Sequence, residues 1–150
     1  METSSSDIAA SFDARAPKYN GNDWHRLSAV RLVEYCDIPI GAHVLDAGTG
    51  TGFAALAAAR AIGAQGQVVG VDLSPGMLQV AGTHRPGGGD APIQWVQGDA
   101  VHLATYPSAS FDAVLCSAAL LYMPVSEALT EWHRVLRPGG VVAFSSMRAG

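Results

Sequence analysis

The stretch Val44-Leu45-Asp46-Ala47-Gly48-Thr49-Gly50-Thr51-Gly52 decides the reading of this chain. Its first half lies in the strand-like run His43–Ala47, and Gly48–Gly52 forms a tight loop. Phe53–Ile62, rich in alanine and leucine, is a good helix former with Gly63 just past its end. A strand feeding a glycine loop and then a helix is either a ligand cradle or a plain structural turn. Glycine permits positive φ and lets a ligand approach the backbone. The helix start offers unpaired N–H groups to an anion. The spacing here is G-x-G-x-G followed by Phe53, whereas the dinucleotide pattern G-x-G-x-x-G needs glycine at position 53. Asp46, directly before the loop, repels a pyrophosphate at close range and suits a cationic ligand such as an ammonium or a sulfonium.

On either side the hydrophobic period alternates. Leu27, Val30 and Val33 give near-helical spacing from Trp24 to Cys36, and Pro39 and Gly41 stop that helix. Residues 1–23 are mixed and polar and read as an arm with a short helix around Ile8–Arg15, ahead of an α/β domain over 24–150. Downstream, Gln67–Val71, Ile93–Gln97, Phe111–Ser117 and Val141–Ser145 read as strands. Pro75–Ala81 is a short helix, ended by Gly82. Val125, Ala128, Leu129, Trp132 and Leu136 mark an amphipathic helix that Arg137-Pro-Gly-Gly140 breaks. Strands alternating with helices predict right-handed βαβ units and a mainly parallel sheet covered on both faces.

Three further acidic or polar positions should meet the loop at the carboxyl ends of the strands, where open α/β sheets bind ligands. Asp72 follows the second strand at the distance where an acidic residue meets a ribose in nucleotide folds. Its two oxygens suit two ribose hydroxyls. The structural alternative is a turn aspartate capping the helix after Ser74-Pro75. Gly98-Asp99-Ala100 ends the third strand, and Asp99 is placed to accept from an exocyclic amine such as that of adenine. The alternative is an N-cap to a following short helix. Ser117 ends the fourth strand.

Composition bounds the function. The chain has 150 residues, 49% hydrophobic and 15% charged, which makes one globular domain and excludes a disordered chain. Its net charge of −4 argues against a basic nucleic-acid footprint. Seventeen glycines exceed the ordinary share of about 7% and cluster in the loops described. Cys36 and Cys116 form no CxxC pair and no disulfide framework. No apolar stretch approaches the ~18 uncharged residues of a membrane span, and no signal segment is evident, so a cytoplasmic protein is expected. Five histidines without HxxxH, HxH or paired cysteines argue against a metal centre.

Five motifs then stand in a familiar order: Asp46-x-Gly48-x-Gly50-x-Gly52, Gly70-Val-Asp72-Leu-Ser-Pro-Gly-Met77, Gly98-Asp99-Ala100, Phe111-Asp112 and Leu136-Arg-Pro-Gly-Gly140. Over residues 8–145 the chain resembles the class I S-adenosylmethionine-dependent methyltransferases. It resembles the broad small-molecule group that includes the ubiquinone/menaquinone-biosynthesis enzymes. The resemblance implies a Rossmann-like sheet in the order 3-2-1-4-5, S-adenosyl-L-methionine as cofactor and S-adenosyl-L-homocysteine as product. By it, Gly48, Thr49, Gly50 and Gly52 form the loop at the methionine part. Asp72 holds the ribose, Leu73 and Met77 flank the adenine, and Gly98, Asp99 and Ala100 read its edge. Ser117 and Ala118 line the site. Phe12, Ala16 and Tyr19 match an arm that closes over the cofactor, although the family's tyrosine-aspartate pair is Tyr19-Asn20 here.

The family's sheet continues as 3-2-1-4-5-7-6, whereas this sequence stops at Gly150 after the fifth strand. A longer native enzyme is therefore expected, with the terminal hairpin missing here. Val141–Ser145 then forms an apolar edge without lysine, proline or charge, through which the chain is expected to self-associate. Methyl transfer is an in-line displacement in which orientation alone supplies up to ~7–11 kcal/mol, so no obligatory triad and no metal are expected. His25, His102 and Tyr122 are the candidates to face the acceptor, with packing at the cleft wall the alternative for Tyr122. Three functions remain open: methyl transfer to a small organic acceptor, a cofactor-binding module without turnover, and a nicotinamide-dependent oxidoreductase.

Overall fold

The computed structural model describes residues 23–117 and 123–145. The expected arm with Tyr19, together with Ala118 and Tyr122, lies outside the described residues. The elements run α1 (Asp23–Cys36), β1 (His43–Ala47), α2 (Phe53–Ile62), β2 (Gln67–Asp72), α3 (Pro75–Ala81), β3 (Ile93–Gln97), β4 (Phe111–Ser117), α4 (Val125–Val135) and β5 (Leu136–Ser145). The sheet has five strands in the order β3-β2-β1-β4-β5, as expected. All four pairings are parallel, and β1 is central, with Asp46 opposite Gly70 on β2 and Leu115 on β4. The chain winds outward from β1 through β2 to β3, then returns to β4 on the other side of β1. That reversal opens the crevice between β1 and β4, where ligands of such sheets bind.

The central strands have no solvent face. Val44, Ala113 and Leu115 pack under α1 and α2 with Val33, Ile38, Ala55, Ala58, Ala59 and Ile62. Leu45, Val114 and Cys116 point the other way, into a core with Ala128, Trp132 and Val135 of α4. This period of two places alternate residues of one apolar run in different cores, which is why the strands read as continuous hydrophobic stretches. The alanines of α2 bring its backbone close to the sheet. Trp132 is fully buried, and its Nε1 donates to the Ala100 carbonyl at 3.0 Å.

One structural alternative falls away and one expected boundary changes. No short helix follows Asp99: among the described residues the chain from Gly98 to Ser110 is turns and bends. Side chains of α4 hold that segment instead. Glu131 Oε2 accepts from the Leu103 amide, and Arg134 donates to the carbonyls of Leu103 and Tyr106. Second, β5 begins at Leu136, directly after α4, rather than at Val141. Leu136 pairs with Phe111, the register breaks, and pairing resumes at Val141 opposite Ala113. Arg137-Pro-Gly-Gly140 thus interrupts the strand rather than separating it from the helix. Arg137 anchors the interruption by donating to Asp112 Oδ2 at 2.9 Å, which also accepts from the His43 amide at 2.8 Å. Burial raises the Asp112 carboxyl, but these two donors outweigh it and hold the group below its usual range.

Candidate functional site

The loop after β1 carries left-handed φ at alternate residues, with Gly48 at 69°, Gly50 at 57° and Gly52 at 91°. The glycines do different work. A Cβ on Gly50 would meet nothing within 4 Å, so this is the position where a ligand can approach the backbone. A Cβ on Gly52 would lie 2.7 Å from Trp95 Cη2 and 3.2 Å from Ala81 Cβ. Gly52 is therefore required by packing of the loop on β3 and α3. The loop is also tied to β2, because the Thr49 amide donates to the Val71 carbonyl at 2.9 Å.

Asp46 ends up almost wholly enclosed, 1% exposed. Its Oδ2 accepts from Thr49 Oγ1 at 2.7 Å, and Oδ1 has no hydrogen-bond partner among the described residues. Burial pushes its carboxyl up to about 7; the Thr49 hydroxyl and the Ala55 amide favour the charged form, while the nearby Asp72 charge opposes it. A buried carboxylate held near neutrality stabilises positive charge placed next to the loop.

Asp72 lies at the carboxyl end of β2, half-buried. Its Oδ2 accepts from the Gly50 amide at 2.8 Å and its Oδ1 from the Ser74 amide at 2.9 Å. Ser74 is the true N-cap of α3, its hydroxyl accepting from the Met77 amide at 3.1 Å, with Pro75 beginning the helix. The carboxylate therefore spans the glycine loop and the turn into α3. The Asp72 carbonyl accepts from the Gly98 amide at 2.9 Å, which joins the end of β3 to the same cluster.

The remaining expected positions are less closely knit. Asp99 Oδ1 accepts from the Val101 amide at 3.0 Å, and its other oxygen lies 3.7 Å from His102 Nε2. It thus closes its own turn. Ala100 is buried, with its carbonyl used by Trp132. Leu73 is half-buried, and Met77 is buried at 1% exposure. Ser117 is half-buried at the end of β4 and pairs in register with Ser145 of β5. His25, in the first turn of α1, is edge-on to Trp24, and burial lowers its pKa. Among the described residues no group of three or more His, Cys, Asp or Glu could hold a metal ion.

Sequence reasoning missed Ser74 and Trp95. Ser74-Pro75 carried a cap-and-first-turn signal that was credited to Asp72. Trp95 carried none, because its neighbours Gly70 and Gly52 come together only once β2 and β3 are paired in register.

Donors and acceptors at this carboxyl edge fit S-adenosylmethionine. The orphaned Oδ1 of Asp46 and the acidic pair Asp46 and Asp72 suit a sulfonium and an ammonium, and the open Gly50 leaves room for the backbone approach. The dinucleotide spacing is absent from the loop.

Residues 45–144 match the family model described as a methyltransferase domain. The malonyl-(acyl-carrier protein) O-methyltransferase of Dechloromonas aromatica is 38% identical over 141 residues, covering 93% of this chain and 50% of that protein. The 2-phytyl-1,4-naphtoquinone methyltransferase of a Synechocystis species is 34% identical over 122 residues, covering 80% of this chain and 51% of that protein. The chain thus spans about half the length of these curated relatives. Among solved structures, the (4+2)-cyclase SpnF superposes with a TM-score of 0.78 at 26% identity, covering 100% of this chain and 64% of that one.

Proposed function

The chain belongs to the methyltransferase-domain family, and from that premise we propose that it binds S-adenosyl-L-methionine and transfers the methyl group to a small organic acceptor. The bridging of Gly50 and Ser74 by Asp72 carries this reading, because it aligns a carboxylate beside the open part of the loop. Gly48, Thr49, Gly50 and Gly52 form the cradle for the methionine part, with the field of Asp46 beneath it. Asp72 accepts from the ribose hydroxyls. Leu73 and Met77 flank the base, and Gly98, Asp99 and Ala100 read its edge. Ser117, Ala118 and Tyr19 complete the site, the last from an arm formed by residues 1–23. When bound, S-adenosyl-L-methionine would supply a methyl carbon activated by its sulfonium, the electron pair of the broken bond staying on sulfur as S-adenosyl-L-homocysteine. The chain's own residues bind, orient and exclude water.

Val141 and Phe144, exposed on the outer strand β5, support self-association through that edge. No described helix is long and apolar enough to cross a membrane, and both cysteines are free, which supports a cytoplasmic setting.

Calorimetric titration with S-adenosyl-L-homocysteine and with NAD tests the binding step: the first should bind and the second should not. Absence of S-adenosyl-L-homocysteine binding, or preference for NAD, overturns the reading. Transfer of labelled methyl groups to a panel of carboxylates and quinones tests turnover. The cyclase neighbour favours a second reading, because it is a protein of this fold named for a reaction other than methyl transfer. In that reading the chain binds the cofactor without transferring its methyl group, and it predicts tight binding with no labelled product from any acceptor.

A further inference from the structure

Thr49 is fixed at three points by three different elements. Its hydroxyl donates to Asp46 Oδ2 of β1 at 2.7 Å in a buried contact. Its amide donates to the Val71 carbonyl of β2, and its carbonyl accepts from the amide of Gly52, the residue that caps α2, each at 2.9 Å. The hydroxyl also occupies space that exists only because residue 70 lacks a side chain. A Cβ on Gly70, which pairs with Asp46 across the sheet, would lie 2.8 Å from Thr49 Oγ1 and 2.8 Å from Trp95 Cε3 and Cζ3. Thr49 and the Trp95 ring thus share the slot over Gly70, and the same ring closes against Gly52 at the far end of the loop. Between these two fixed ends stands Gly50, open to solvent on its Cβ side, with its amide on Asp72.

We propose that Thr49 is a positioning residue of the cofactor loop: its hydroxyl, held by Asp46 over the side-chain-free Gly70, sets the direction of the Gly50 amide and with it the alignment of Asp72. This rests on the reading of the loop as the S-adenosylmethionine site. Thr49 itself is buried and acts from below the loop. The groups acting on Asp46 are the Thr49 hydroxyl from the loop, the Ala55 amide from α2 and the Asp72 carboxylate from β2. Its strand neighbours Gly70 and Leu115 bring no charge. Because the hydroxyl favours the charged form of Asp46, removing it moves the Asp46 titration upward from about 7.

Thr49→Val keeps the shape and deletes the donor, whereas Thr49→Ser keeps the donor. Three readouts are taken on the full chain: amide hydrogen exchange at Gly50 without ligand, the Asp46 titration followed by carboxyl NMR, and S-adenosyl-L-homocysteine affinity. In Thr49→Val, exchange at Gly50 should speed up by about tenfold and affinity fall by about tenfold, the loss of one hydrogen bond to a charged group. The Asp46 midpoint should rise. In Thr49→Ser all three should stay within about twofold of the parent, because the donor is retained. Thr49→Ala provides the same comparison if Thr49→Val does not fold, since it too deletes the donor and adds no atom against the Trp95 ring. A Thr49→Val chain with parental exchange at Gly50 and a parental Asp46 midpoint overturns the proposal. A parent that binds no S-adenosyl-L-homocysteine overturns the cofactor reading alone, and the exchange and titration of the free chain then decide the role of Thr49.

Discussion

The Gly50 amide donates to Asp72 Oδ2 over 2.8 Å, so the loop after β1 and the end of β2 are one unit. With the Ser74 amide on Oδ1 at 2.9 Å, each carboxylate oxygen accepts a backbone donor from a different element. These two contacts fix the direction of the carboxylate.

This changes what substitution at position 72 does. From sequence alone, Asp72→Asn should be mild, because one acceptor oxygen remains. In the structure an amide would set its NH2 against either the Gly50 or the Ser74 N–H. Asp72→Asn should therefore lose about tenfold in S-adenosyl-L-homocysteine affinity and Asp72→Ala about tenfold to hundredfold, at roughly 1.5–3 kcal/mol per charged hydrogen bond. Calorimetry on both variants checks this, and parental affinity in Asp72→Asn would contradict it.

Asp46 predicts an unusual pH dependence. Burial raises its folded pKa from 3.8 to about 7. Between those values the folded chain holds the proton and the unfolded chain does not, so lowering the pH from 8 toward 5 stabilises the ligand-free chain. The full shift corresponds to at most about 4 kcal/mol. Asp112 and Glu131, whose folded pKa values are lowered, contribute stability that is lost only as the pH falls below their usual values of 3.8 and 4.5. His25, whose pKa burial lowers, opposes the effect of Asp46 below its usual 6.5, so thermal melts should show Tm rising as the pH falls from 8 to 6.5; a steady decline over that range would be the contrary result. A cationic ligand favours charged Asp46, so S-adenosylmethionine should bind more weakly below pH 7 and release protons on binding at pH 6. Calorimetry in two buffers of different ionisation enthalpy measures that release.

Gly50 and Gly52 should separate binding from folding. Gly52→Ala combines a φ of 91° with a 2.7 Å approach to Trp95, and should cost about 2–4 kcal/mol of stability. Gly50→Ala has open space and only a φ of 57° to tolerate, about 1–2 kcal/mol, but its methyl group enters the ligand's approach. Denaturant melts should rank Gly52→Ala as the less stable, and titration should show affinity lost in Gly50→Ala. Equal stability of the two would remove Trp95 from the account of the loop.

Trp132→Phe should lower Tm by roughly 5–10 °C, a loss of about 2–3 kcal/mol. The smaller ring leaves a cavity at a fully buried position and strands the Ala100 carbonyl, which accepts from the indole at 3.0 Å. Unchanged melting would mean that the segment after β3 is held mainly by Glu131 and Arg134.

The strands and helices from His43 to Ser117 were legible because each is set by local chemistry. Apolar runs form β1, β2 and β4, with glycine flanking β1 and preceding β2, the alanine-rich run forms α2, and Pro75 starts α3. The loop glycines and Asp72 announced themselves through residue type and spacing, which depend on no distant contact. The join of α4 to β5 was misread for the opposite reason. Arg137-Pro-Gly-Gly140 looks like a break in any sequence, and only pairing with Phe111 brings Leu136 into the strand. Asp46 belongs to the same class. Its sequence position shows a carboxylate before a glycine loop, but burial, the Thr49 hydroxyl and the charge of Asp72 together determine its titration. Sequence by itself determined which elements form, their parallel winding and the residue types at the carboxyl edge, because propensity, period and glycine spacing are local. Tertiary structure alone decided which glycine is open on its Cβ side and which faces Trp95, and which carboxylate is bridged and which is enclosed. Those outcomes depend on strand register and on packing between residues far apart in the chain.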